Sequence, residues 1–282
     1  MTIDKRLSRS RVFPPGSRLA LALEYDGTQY SGWQRQASPN APTVQGCLEQ
    51  ALSKVADAPV VVQCAGRTDS GVHASHQVVH FDAPSARPEA AWVMGVNSNL
   101  PGDIAVKWVS PVPVEFNARF SAIARRYRYI FYTQATRPAL LRRNVTWIRT
   151  PLDAKAMHLA AQNLLGERDF SAFRAAGCQS RSPMRFVSHA RVTQTGDFTV
   201  LDIKANAFLH HMVRNIAGTL AVVGRGESEP EWVASLMDSR DRTLAAATAP
   251  PNGLYLIDVD YPPEFALPAT VPGPGFIAPL LD

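Results

Sequence analysis

The feature that most constrains the fold is a short loop with two glycines between two β-rich runs. The loop extends from Gly66 to Gly71 and has the sequence Gly-Arg-Thr-Asp-Ser-Gly. The apolar run Val60–Val62 precedes it and Gln77–Phe81 follows it, so the pattern predicts a buried strand on each side. Glycine permits backbone conformations that are closed to other residues. We therefore expect Arg67 and Asp69 to be presented on a tight loop between strands.

Asp69 has two interpretations from its residue type and position. A carboxylate on a loop that is held by two strands is a candidate nucleophile or general base. Asp is also a common turn residue, because its side chain bonds nearby backbone and it tolerates left-handed conformations. The loop alone leaves both interpretations open.

The composition suits a globular protein of one large or two ordinary domains with a polyanionic partner. The chain has 282 residues, and 29 Lys plus Arg outnumber 24 Asp plus Glu, giving a net charge of +5. Most of the cations are Arg, which favours phosphate and base contacts, although genomic base composition also exchanges Lys for Arg. Three cysteines without a Cys-x-x-Cys spacing argue against a disulfide framework or zinc site. With no signal-peptide pattern and no run of about 18 apolar residues, we expect a cytoplasmic protein without a membrane span.

Periodicity divides the chain into two α+β halves between two tails. Residues 1–17 are predicted to be a basic flexible tail, 18–114 and 115–261 the two domains, and 262–282 an irregular Pro/Gly-rich tail. The first half has the element order β-α-β-β-α-β, which is typical of a ferredoxin-like unit. Its predicted elements are a strand over Arg18–Tyr25, a helix over Val44–Val55 capped by Thr43, the two strands around Asp69, a helix over Pro88–Asn99 and a strand over Ile104–Val109. Between the first strand and its helix, Tyr30–Gln36 is predicted to be a loop with exposed aromatic and amide groups.

The second half is predicted to be a similar, decorated unit. Its predicted elements are a strand over Ser121–Thr133, a helix from Pro151 to Leu165, a hairpin of Phe186–Thr193 and Asp197–Ala205, a helix over Ala207–Val223 and a strand over Leu254–Val259.

The long strand of the second half carries alternating cations and aromatics. Arg125, Tyr127 and Tyr129 share one face, while Arg126 and Arg128 share the other. Phosphates on Arg with a base stacked on Tyr would make an RNA surface. An ordinary two-faced strand with an aromatic core side has the same pattern.

The helix over Ala207–Val223 places His210, Arg214 and Gly218 one turn apart, away from its apolar stripe. An Arg beside a small residue could lean into a cavity, whereas the pattern alone favours a surface Arg. The spacing of the histidines argues against a metal site. The sequence also has no Walker loop, dinucleotide fingerprint or serine elbow.

The string Gly66–Ala74 resembles the signature loop of the tRNA pseudouridine synthases of the A type. Further motifs resemble that family in the same order, covering about Leu19 to Tyr261. These are Glu24–Gly27, Gly32–Gln36, Asn97–Pro101, Phe116–Phe120, Ala124–Tyr129, Asn206–Asn215 and Gly253–Leu256.

The resemblance implies a pseudouridine synthase fold, with two ferredoxin-like or RRM-like halves whose antiparallel sheets join around a central cleft. It also implies a role for each candidate residue. Asp69 is the catalytic carboxylate, and Arg214 pairs with it and holds it ionised. Tyr127 packs on the target base, Arg67 fills the space that the flipped base leaves, and Leu254 lines the apolar pocket wall.

The resemblance further implies a homodimer that grips tRNA across both subunits and acts on uridines 38 to 40 of the anticodon stem-loop. The reaction needs no nucleotide, metal or other cofactor. Two alternatives remain: an RRM-type binding module and an Asp-dependent hydrolase. The RNP1 string is absent, which counts against the first. The second needs another carboxylate about 5 Å or about 6.5–9.5 Å from Asp69, for which Glu24 and Asp82 are candidates.

Overall fold

The computed structural model describes residues 11–36 and 41–277, which form two compact units. The first comprises the residues up to Ile123 together with Val259–Pro272, and the second comprises Ala124–Asp258 and the residues from Gly273. The predicted boundary after residue 114 therefore lies inside the first unit. The reason is tertiary: the backbone of Ile123 bonds to Asp260, and Phe116 packs on Tyr261.

The first unit is built on an antiparallel sheet with strand order β6-β2-β4, to which β3 adds along β4. Its longer helical elements are α1 and a π-helical turn. These elements are β1 (Val12–Phe13), β2 (Arg18–Tyr25), α1 (Val44–Ala56), β3 (Gln63–Cys64), β4 (His73–Asp82), β5 (Arg87–Pro88), the π-helical turn (Ala91–Gly95) and β6 (Ile104–Pro111).

Several predicted elements of the first unit are confirmed. The strand over Arg18–Tyr25 has the predicted bounds, and α1 begins at Val44 with the Thr43 side chain accepting a hydrogen bond from the Gly46 amide. The predicted second helix is shorter, since residues 89–97 are helical around the π-helical turn.

The predicted buried strand at Val60–Val62 is wrong. Val61 is 73% exposed, and the strand β3 begins only at Gln63. The amides of Val60 and Val62 bond instead to the side chains of Ser53 and Glu49. Because α1 satisfies these backbone donors, the segment needs no partner strand.

Both tails contain ordered residues. Residues 1–10 of the predicted N-terminal tail lie outside the described part of the chain. Val12–Phe13, however, pairs with β5, and Phe13 is buried, so this part differs from the predicted flexible tail. In the C-terminal tail, Ile277 is fully buried in a core cluster of the second unit. Residues 278–282 are not described.

The second unit is built on a sheet with strand order β12-β7-β11-β10-β9, to which β8 adds in parallel along β7. Three α-helices complete it within the described residues. The elements are β7 (Ala124–Thr133), β8 (Thr146–Ile148), α2 (Ala154–Gln162), β9 (Gly166–Asp169), β10 (Met184–Thr195), β11 (Phe198–Ala205), α3 (Met212–Gly224), α4 (Trp232–Ser239) and β12 (Leu254–Asp260). Both units combine helices with a largely antiparallel sheet, which confirms the α+β class.

In the second unit, the predicted hairpin is correct, whereas the predicted start of one helix is wrong. The hairpin is confirmed, with Thr195 opposite Phe198 and Gly196 at a φ of 54° in the turn. The helix predicted from Ala207 begins only at Met212, because His211 has a φ of 59° and ends a tight turn. His210 therefore precedes α3 and does not share a helical face with Arg214.

Candidate active site

The loop that carries Asp69 is anchored on its N-terminal side by buried contacts. The Thr68 hydroxyl lies 2.8 Å from the phenol oxygen of Tyr25, and the Thr68 carbonyl accepts a hydrogen bond of 3.0 Å from the Trp33 amide. Trp33 is only 1% exposed and Tyr30 is also buried. The expectation of exposed aromatic groups at 30–36 is thus wrong, while the amide at the end of this loop is exposed as expected.

The C-terminal side of the loop is anchored to the backbone of Tyr30. The Ser70 hydroxyl and the Gly71 amide both donate to the Tyr30 carbonyl, at 3.2 Å and 3.3 Å. The Val72 amide then donates to the Asp69 carbonyl at 3.1 Å, which closes the turn. Asp69 is half-buried and Arg67 is exposed. The carboxylate is therefore held at the tip of a turn whose neighbours on both sides are fixed.

Gly32 allows this close packing and is a site residue that the sequence reasoning missed. It has a φ of +93°, and a Cβ there would lie 2.8 Å from the Thr68 carbonyl oxygen and 3.1 Å from the Asp69 carbonyl carbon. The backbone at Gly32 thus lies directly against the backbone of the loop. The sequence signal was the glycine before Trp33, which indicates a close approach of another segment.

His73, which follows the loop, has a structural role. Its Nδ1 lies 3.0 Å from the Gly27 amide nitrogen and 3.1 Å from Asp26 Oδ1. The hydrogen bond with His73 holds the pKa of the Asp26 carboxyl well below its usual range. His80 is occupied similarly, since its Nδ1 accepts from the Ala118 amide.

Cys64 precedes the loop, and the charges of two arginines act on its thiol. Burial raises the pKa of its thiol to about 12, although the guanidinium groups of Arg67 and Arg119 oppose this rise. The thiol is thus neutral near pH 7 and is a poor nucleophile. Because their charges act on the Cys64 thiol, both guanidinium groups lie in the neighbourhood of Cys64.

In the second unit, the two faces of β7 have different roles. Tyr127 is buried and meets the ring of Phe208 edge-on, with 5.0 Å between centroids and 82° between planes. On the other face, Arg126 and Arg128 both donate to the carboxylate of Asp202, at 2.6–2.9 Å. Arg128 is only 6% exposed. Of the two interpretations of this strand, the phosphate contact is therefore wrong for Arg128, because Asp202 holds its guanidinium inside the unit.

Arg214 lies in the first turn of α3, and its orientation is set by a segment 35 residues later. Its Nε donates to the Ala249 carbonyl at 2.8 Å, and the Ala249 amide donates back to the Arg214 carbonyl at 3.1 Å. A Cβ at Gly218, one turn on, would overlap the Ala247 carbonyl oxygen, so only glycine leaves room for this segment. Arg214 is half-buried, contrary to the surface position that its pattern alone favoured.

A polar network holds the segment that orients Arg214. Asn215 is fully buried; its amide donates to the Phe173 carbonyl, and its oxygen accepts hydrogen bonds from Thr248 and Arg242 at 2.6 Å and 3.0 Å. The Tyr129 hydroxyl donates to the Pro250 carbonyl at 2.8 Å. The sequence reasoning missed these residues, because their partners are distant along the chain.

The predicted site residues are thus divided between the units. Asp69 and Arg67 belong to the first, and Tyr127, Arg214 and Leu254 belong to the second, where Leu254 is buried at the start of β12. Within the described residues, no helix has the length and apolar character needed to cross a membrane.

Comparison with known proteins decides the family. A family model described as tRNA pseudouridine synthase matches residues 21–121 and 160–262. The chain belongs to the tRNA pseudouridine synthase family. Proteins called tRNA pseudouridine synthase A from Enterobacter sp. (strain 638) and Escherichia fergusonii are each 58% identical to this synthase. Both matches cover 94% of this chain and 97% of the relative.

A solved Cbf5-Nop10-Gar1 complex matches this synthase with 9% identity and a TM-score of 0.31. The match covers 84% of this chain and 57% of that one, and a likeness this weak supports no argument. Family membership makes the synthase an isomerase with the pseudouridine synthase fold. It also favours isomerisation over the two alternatives, a binding module without activity and a hydrolase.

Proposed function

We propose that the protein isomerises uridine to pseudouridine at positions 38, 39 and 40 of tRNA, in the anticodon stem-loop. The relatives are called tRNA pseudouridine synthase A, and the resemblance of the motifs implies these positions. The observation that carries the proposal is the geometry of the Asp69 loop. A half-buried carboxylate stands at the tip of a turn whose two neighbours are tied to β2 and to the segment after it.

In the reaction, the bond between C1′ of the ribose and N1 of uracil breaks, and a bond between C1′ and C5 forms. The proton on C5 is lost and N1 gains one, so the conversion is an isomerisation without redox change or cofactor. Asp69 acts as the nucleophile, either at C6 of the base or at C1′ of the sugar. A nucleophilic carboxylate must be ionised, and Arg214 supplies the positive charge that favours this form.

The other candidate residues hold the everted nucleotide. Turning a uridine out of its stack costs about a few kcal/mol. Arg67, which is exposed on the loop, occupies the vacated space in the RNA. Tyr127 stacks on the target uracil and is a candidate proton acceptor, and Leu254 forms the apolar wall of the pocket. The enzyme works as a cytoplasmic homodimer that holds tRNA across both subunits.

The test is release of tritium from tRNA that carries 5-³H-uridine, with no nucleotide or metal added. We expect Asp69→Asn to abolish release while tRNA binding is retained, because the amide keeps the shape of the side chain and loses its nucleophilic charge. Asp57→Asn is the matched control. It makes the same chemical change at an exposed, left-handed residue after α1, a conformation that Asn tolerates.

Three outcomes would contradict the proposal. Near-native release by Asp69→Asn would remove Asp69 from the nucleophile's role. Release of free uracil would indicate hydrolysis. Tritium release that persists in a tRNA lacking uridines at 38 to 40 would contradict the assignment of the target positions.

A further inference from the structure

The most exposed aromatic side chain of the described residues stands on a rigid turn in the first unit. Phe120 is 77% exposed, although a Phe normally contributes to a core or an interface. The guanidinium carbon of Arg119 lies 5.3 Å from the centroid of the Phe120 ring, and Arg119 is exposed as well. A flat apolar ring beside a cation is the combination with which proteins hold unpaired nucleotides.

Hydrogen bonds fix the turn that carries this pair. The Asn117 side-chain oxygen accepts from the amides of both Arg119 and Phe120, at 3.0 Å and 3.1 Å. The Ser121 hydroxyl accepts a hydrogen bond of 3.0 Å from the backbone amide of Asn117. The backbone that carries the ring is therefore fixed, so that less backbone entropy is lost when a base stacks on it.

Buried neighbours anchor the same turn to the core. Ala118 is fully buried; its amide donates to Nδ1 of His80, and its carbonyl accepts from the Tyr261 hydroxyl at 2.6 Å. Phe116 is also fully buried. Phe120 thus points outward from a backbone that is fixed to the core, and it is not a displaced core residue.

The turn is attached to the strand from which the Asp69 loop departs. The side-chain amide of Asn117 donates to the Gln63 side-chain oxygen at 3.1 Å. Gln63 is the first residue of β3. Cys64, the other residue of β3, is in the neighbourhood of both Arg67 and Arg119. The turn and the catalytic loop therefore share β3 as a common support.

We infer that Arg119 and Phe120 form a binding site for an unpaired RNA nucleotide next to the target uridine. The base stacks on the Phe120 ring, and the Arg119 guanidinium contacts a phosphate. The inference rests on the proposed placement of the target uridine at Asp69. An RNA partner is favoured over a protein partner because the Arg119 guanidinium flanks the ring, and because Arg119 and Arg67 both act on Cys64 and so place two cations on this part of the unit.

The test measures the affinity of a labelled tRNA transcript for the full-length protein at one fixed salt concentration. Phe120→Ala should weaken binding about 5-fold to 150-fold, the range seen when a stacking aromatic is removed. Phe120→Trp should retain the affinity, whereas Phe120→Leu should weaken binding about as much as Ala does, because Leu has no aromatic face. Met94→Ala is the control, since Met94 is an exposed apolar residue of the π-helical turn. It should bind like the wild type.

Salt dependence tests the role of Arg119. In Arg119→Gln, the slope of log K against log salt should fall by about 0.7–0.9, the value expected for one lost phosphate contact. Unchanged affinity in Phe120→Ala, or full affinity in Phe120→Leu, would overturn the inference. A loss of self-association in Phe120→Ala with unchanged tRNA affinity would also overturn it, because the turn would then be an interface between copies of the chain.

The binding readout needs no turnover and is therefore independent of the nucleophile assignment. An active Asp69→Asn variant would refute the proposed function and leave the affinity results as they stand. Equal urea midpoints for the wild type and the Phe120 variants would exclude misfolding as the cause of weaker binding.

Discussion

Substitution of Gly32 by Ala is expected to damage the active site through the backbone alone. The new Cβ would lie 2.8 Å from the Thr68 carbonyl oxygen. Carbon and carbonyl oxygen in contact are about 3.3 Å apart, so the loop or the segment at Gly32 must move by about 0.5 Å. Asp69 follows Thr68 directly and moves with it.

Two energetic terms add in Gly32→Ala. The φ of +93° is strained for any residue with a Cβ, which costs about 1–3 kcal/mol. Overlap with the loop backbone costs about another 1–3 kcal/mol. A displacement of about 1 Å can lower a catalytic rate a hundredfold, so half of that displacement should lower kcat about tenfold.

A matched control separates the two terms. Gly16 also has a positive φ, +83°, but a Cβ there would meet nothing within 4 Å. Gly16→Ala should therefore show the strain term in urea unfolding with unchanged tritium release. If Gly32→Ala is no less stable than Gly16→Ala and retains wild-type kcat, the reasoning about close approach to the Asp69 loop is refuted.

Two further predictions concern the second unit. Asp202→Ala should lower the free energy of unfolding by about 3–5 kcal/mol, because it leaves the buried guanidinium of Arg128 without its carboxylate; an unchanged urea midpoint would contradict this. Thr248→Val should lower kcat with little effect on KM for tRNA, because Thr248 holds the segment that orients Arg214. Thr248→Ser keeps the hydroxyl and should retain the wild-type kcat. Equal kcat in the wild type and both variants would contradict this.

The elements that the sequence predicted well are those whose signals are local. The Thr43 cap marks the start of α1, and Gly196 marks the turn of the hairpin, so each boundary depends on a few neighbouring residues. The start of α3 depends on the left-handed conformation of His211, which no periodicity reveals. The apolar run at Val60–Val62 failed as a strand because side chains of α1 took its backbone donors.

The candidate site shows the same division between local and distant signals. Asp69 was a candidate from its loop, because two glycines around a carboxylate form a compact pattern, and only the resemblance to the family's signature loop favoured the catalytic interpretation. The environments of Arg128 and Arg214 depend on Asp202 and Ala249, which lie 74 and 35 residues away. Residue type and spacing cannot distinguish a cation that binds a distant carboxylate from one that is exposed to solvent.

Gly32 and Gly218 indicate how the enzyme keeps its catalytic segments in position while it turns a nucleotide out of the RNA stack. Each glycine allows backbone from elsewhere in its own unit to touch a segment that carries a proposed catalytic group. Gly32 does so for Asp69, and Gly218 does so for the segment that orients Arg214. Backbone contacts of this kind have no rotamers to change, so they hold position without the entropy cost of ordering long side chains. Substrate binding must supply the free energy of base eversion, and a site that is already rigid leaves more of that binding energy for it.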